Sequence, residues 1–210
     1  MYWMKVKDVV PHKSIELSLF RNEGFIFPEK LGYQGLSTFV QMKGDCYPYL
    51  VRVFYNNIKV VDGNIHSRVK RVDIVINNDT WLQVADLKGE GHMSHRPDCL
   101  QSRIPTNWIA VFKWHIIDVG ENDWLELAYG VFISKILSLS GVNLTGETKV
   151  TYNKANQIGK AILTCIGLKK TALGWIFNDK QTSTKDKYDV SDFDSESTLK
   201  SPKSKFENMW

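Results

Sequence analysis

One stretch constrains this chain more than any other: residues 47–91 read as helix, hairpin, helix. Tyr47, Leu50, Val51, Phe54, Tyr55 and Ile58 recur at the spacing of one helix face. Pro48 stands near the start of that run, where its missing N–H does no harm. Lys59-Val60-Val61 and Asn64-Ile65-His66 then flank Asp62-Gly63, a pair suited to a two-residue hairpin turn. Val69, Val72, Ile74 and Ile76 continue an extended pattern. Asn77 to Thr80 supplies capping side chains for a helix through Trp81, Val84, Ala85 and Leu87, which Gly89 and Gly91 are expected to stop.

The flanks are read against that block. Ser14 to Arg21 fits a short helix, and the alternation of Ile15, Leu17 and Leu19 also fits a strand. Pro28 opens a further helical turn closed by Gly35, and Leu36 to Met42 suits another. Trp108 to Ile117 is apolar enough for either a helix or a buried strand. Trp124 to Leu139 carries the strongest helical stripe, with Leu125, Ala128, Tyr129, Phe132, Ile136 and Leu139 on one side. Asn153 is placed to cap a helix with Ala155, Ile158, Ile162 and Cys165 inside, ending at Gly167. A short hairpin, or a short helix, follows over residues 168–177. The reading is a mainly helical α+β domain with one or two short hairpins. It divides into a ragged entry at 1–13, a domain at 14–178 and a disordered tail at 179–210, where Ser, Thr, Lys and Asp dominate.

Composition narrows function by exclusion. With 210 residues, 43% of them hydrophobic, the chain can bury one ordinary core. A net charge of +4 permits nucleic-acid contact without demanding it. Cys46, Cys99 and Cys165 are widely spaced and odd in number, which fits reduced thiols inside the cell, in nucleus or cytoplasm. No apolar window approaches the ~18 residues of a membrane span, so no membrane partner is expected.

The central block resembles a known family. Tyr47-Pro-Tyr-Leu-Val-Arg-Val-Phe-Tyr-Asn-Asn-Ile-Lys59 is similar to the signature of the plant transposon protein domain. Ser67 to Ile74 with Trp81 resembles its next block, and Phe25 to Pro28 with Gly35-Leu36 its preceding one. Ile158-Gly159 and Gly167 to Trp175 look like the C-terminal part of longer legume members. The likeness covers residues 14–178. It departs from the family in a short 96–122 section, as from an internal deletion, and in Ala128 where proline is expected, which would let the helix begin earlier. The resemblance implies a domain of plant mobile-element-derived proteins with no established reaction and no catalytic residues to transfer; the reading that follows is a non-enzymatic protein acting, if at all, through protein or nucleic-acid contacts.

The chemistry-bearing residues agree with that restraint. His92, His95 and Cys99 have a ligand-like spacing but lack a fourth donor, so no zinc and no cofactor is expected. Asp73, Asp79, Asp86 and Asp118 do not form the spaced carboxylate set of a transposase or nuclease. Arg68, Lys70 and Arg71 form a basic cluster, with 68 and 70 expected on one strand face; the row can meet phosphates, but a charged edge that discourages strand pairing is the preferred reading. Lys160, Lys169 and Lys170 lie on a helix and hairpin reminiscent of a winged-helix nucleic-acid module. A remnant of a transposase or nuclease without its catalytic part is the other alternative. Ser191, Ser201 and Ser204 suggest a tail open to phosphorylation, able to lie against the Arg68 to Arg71 cluster.

Overall fold

In the computed structural model the chain follows residues 7–91, 105–165, 167–171 and 174–177, and the description below is of those residues. His92, His95 and Cys99 and the expected tail at 179–210 lie outside them.

The central block forms as its periodicity dictates. Helix α4, Pro48–Asn56, follows three short helices: α1 (Leu17–Asn22), α2 (Phe27–Tyr33) and α3 (Ser37–Val40). Strand β1, Ser14–Ile15, precedes α1, so the ambiguous segment is both a strand and a helix. After α4 the chain makes an antiparallel sheet, β2 (Lys59–Val61), β3 (Asn64–Val69) and β4 (Val72–Ile76), in that order. Helix α5, Asn78–Ala85, is held at its start by a capping box: the Asn77 side chain accepts from the Thr80 N–H while Thr80 accepts from the Asn77 N–H.

Two turns shape the sheet. Asp62 and Gly63 have φ of 50° and 70°, as a type I′ hairpin requires. Lys70 and Arg71 join β3 to β4 with φ of 48° and 67°. That second hairpin was not legible as such: Lys-Arg is no I′ signal, because side chains at positive φ crowd the backbone. It also corrects the expected strand face. Arg68 lies on β3, but Lys70 is in the turn.

Beyond the block, α6 (Trp108–Glu121), α7 (Gly130–Leu139) and α8 (Lys160–Cys165) complete the helices, and β5 (Gln157–Ile158), β6 (Leu168–Thr171) and β7 (Gly174–Phe177) the strands. The fold is α+β, with the core between α4, the inner sheet face, α5, α6 and α7. Phe54, Trp81 and Phe132 are buried in it as the periodicity predicts. Trp81 stacks on Phe132 at 4.4 Å between ring centres, and Phe39 on Phe112 at 4.3 Å.

The structure departs from the sequence reading in three places. The helix expected from Trp124 begins only at Gly130, after Tyr129 in a left-handed conformation at φ 57°. Residues before it are drawn to the N-terminal segment: the Leu127 N–H donates to the Asp8 carbonyl, and the Val10 N–H to the Leu127 carbonyl. Trp124 is consequently 93% exposed. Gly130 suits its place, because a Cβ there would meet the Cys46 Sγ at 2.7 Å. The helix expected from Asn153 is also broken. Asn153 caps a 3-10 turn over Lys154–Asn156, and Gln157–Ile158 then pairs in parallel with β1. Finally, α5 stops at Ala85 before the glycines, with Asp86 left-handed at φ 56°.

Candidate functional site

The basic cluster of the central block lines an open groove of about 830 Å³. Its walls are Val53 of α4, Asn57 just after it, Lys59 of β2, His66, Ser67 and Arg68 of β3, the Lys70-Arg71 turn, and Asp73 of β4.

The groove exists because β2 is shorter than β3. Lys59, the first residue of β2, pairs with His66, so β3 runs on past it. The end of α4 fills part of that gap. The Asn57 side-chain amide donates to the Arg68 carbonyl at 2.8 Å, and the Ser67 hydroxyl donates to the Phe54 carbonyl at 2.7 Å. The Arg68 carbonyl, beyond the end of β2, thereby gains a partner, and the strand end is fixed against the helix.

The cations of the groove are not equivalent. Lys70 is engaged: its ammonium donates to the Asn143 carbonyl at 2.8 Å and pairs with Glu147 at 2.5 Å. It anchors the turn to the loop after α7. Arg68 meets Asp73 at 3.4 Å, both well exposed, an ion pair that water and salt weaken. Among the described residues the side chains of Lys59 and Arg71 have no hydrogen-bond or ion-pair partner. The groove thus presents Lys59, Arg68 and Arg71 to solvent, against the single carboxylate of Asp73. Arrangements of this kind attract anions.

The second set of expected site residues has a different fate. Lys160 opens α8, while Lys169 and Lys170 lie on β6. Glu23, just after α1, gathers the Lys170 ammonium at 2.5 Å, the Trp175 indole N–H at 2.8 Å and Lys160 at 3.4 Å. The Lys170 hydrogen bond, then that of Trp175, holds the Glu23 carboxyl down to about 2. These contacts tie the C-terminal hairpin to the N-terminal helices. Lys169 is exposed beside a smaller groove of about 420 Å³. The resemblance to a winged helix weakens here. Its long helix is interrupted by β5, and two of its three lysines face an internal carboxylate.

Among the described residues no group of three or more His, Cys, Asp or Glu side chains is placed to hold a metal ion. No helix among them is long and apolar enough to cross a membrane. No family model, curated protein or solved structure matches the chain.

Proposed function

We propose that this chain is a non-enzymatic binding domain whose groove between α4 and the β3–β4 turn takes the phosphates of a nucleic acid. The observation that carries the reading is the juxtaposition of Lys59, Arg68 and Arg71 around one open groove with a single facing carboxylate. The strained turn supports it. A left-handed pair is least costly as Asn-Gly, yet the position holds two long cations at φ of 48° and 67°. A plant mobile-element origin is part of the same proposal and rests on the residue pattern of the central block. An intracellular setting, nucleus or cytoplasm, is where such a ligand is found, and the free Cys46 and Cys165 suit it.

The test is a titration of labelled nucleic acid with the purified chain at near-physiological salt. Replacing Lys59, Arg68 and Arg71 together by glutamine is expected to abolish binding without loss of fold. Equal binding by that variant would place the interface elsewhere and overturn the reading.

A further inference from the structure

Resting on the phosphate-binding reading of this groove, we infer that its ligand is a duplex, held by its phosphodiester backbone with the bases unread. Single-strand binders combine a basic track with aromatic side chains on which successive bases stack. The groove here has the cations without the platform. Its lining is Val53, Asn57 and Ser67 between the charged groups, and His66 is its only ring. The exposed large aromatics of the described chain, Tyr33, Tyr49, Trp114 and Trp124, lie outside it. A base entering the groove would find the His66 ring and no second face to continue a stack.

The carboxamide and the hydroxyl of the lining are turned to the protein's own backbone. The Asn57 amide, the one carboxamide in the lining, already donates to the Arg68 carbonyl. The Ser67 hydroxyl donates to Phe54 inside the protein. What remains to meet a ligand is the three cations and the His66 imidazole, with no free carboxamide or hydroxyl to fix a base between them. Lys59 and Arg68 stand diagonally across the β2–β3 pair, about 7–8 Å apart by strand geometry. Arg71 extends the row from the turn. A duplex presents one negative charge per ~1.7 Å of axis, so three spaced cations meet phosphates in any sequence register.

The inference carries a number. Three phosphate contacts release counterions with a slope of log K against log salt of about −2.7 on a duplex, against about −2.1 on a single strand. Lys70 adds nothing to this count while Glu147 and Asn143 hold it.

The experiment measures fluorescence anisotropy of the full chain with four labelled probes between 50 and 200 mM salt. They are two unrelated 20-base-pair DNA duplexes, an RNA duplex, and one of the DNA strands alone. The expected result is duplex binding several-fold tighter than single-strand binding, equal within about twofold for the two DNA sequences, with a slope near −2.7. The RNA arm tells the two backbone sources apart, and binding of either duplex meets the inference. In Arg71→Gln the slope should fall by about 0.9 for both DNA duplexes alike. Preference for the single strand, or tenfold discrimination between the two DNA duplexes, overturns the duplex-backbone inference. If Arg71→Gln still weakens binding in that case, the groove itself stands as the site. Binding to none of the four probes at 50 mM salt overturns both readings together.

Discussion

The Ser67 hydroxyl donates a 2.7 Å hydrogen bond to the carbonyl of Phe54, thirteen residues earlier and buried. One bond therefore joins the last turn of α4 to the strand that carries Arg68. Ser67 is the polar member of an otherwise apolar inner face of Ile65 and Val69. Replacing it by alanine is expected to cost about 1 kcal/mol, since the carbonyl keeps its bond from the Asn57 N–H. Urea denaturation of Ser67→Ala checks this. An unchanged midpoint would mean that packing alone sets the β3 position.

Phe54 itself is fully buried and packs edge-on to Tyr55 with ring centres 5.7 Å apart. Phe54→Ala should lose about 3–5 kcal/mol through a cavity that α4 and the sheet cannot close. The same denaturation series reads it. A loss under ~1 kcal/mol would show that the site collapses and that α4 is not the pillar of the core.

Arg71 sits at φ 67°, where glycine is at ease and arginine is strained. Arg71→Gly should therefore stabilise the fold by about 0.5–1 kcal/mol while weakening nucleic-acid binding. The two readouts move in opposite directions only if the strained residue serves the groove. A variant that is less stable as well as weaker in binding would tie Arg71 to structure instead.

Glu23 gives a pH signature. Its carboxyl is held to about 2, below the ordinary 4.5, chiefly by Lys170, with Trp175 and Lys160 adding to it. A depressed folded value means that the ionised tie is fully present above about pH 4.5 and is lost as pH falls toward 2. The stability difference between the native chain and Glu23→Gln should therefore be largest at neutral pH and shrink across that acid window. A difference independent of pH would mean that the ion pairs do not hold the hairpin.

The sequence by itself determined the central block apart from its Lys70-Arg71 turn, because its other signals are local. A helix face of period near four, an Asp-Gly turn and an Asn-x-x-Thr cap each act within a few residues, and each formed where it was read. It also marked Arg68, Lys70 and Arg71 as a cluster. What only the tertiary structure decided were the outcomes of competition between distant segments. Trp124, Leu125, Leu127 and Ala128 continue the apolar pattern of the helix that follows, yet the Leu127 backbone bonds to Asp8 and Val10, and the helix waits until Gly130. Gln157–Ile158 lies in a helical pattern but pairs with Ser14–Ile15, because a strand partner from the other end of the chain satisfies the same backbone groups. The same holds for charge. Lys70 and Arg71 are equal as sequence, but Glu147 neutralises one and leaves the other facing the groove. Lys160 and Lys170 share Glu23, from more than a hundred residues earlier. Formal charge is a property of the residue, whereas its availability to a ligand depends on which counter-charge the fold brings alongside it.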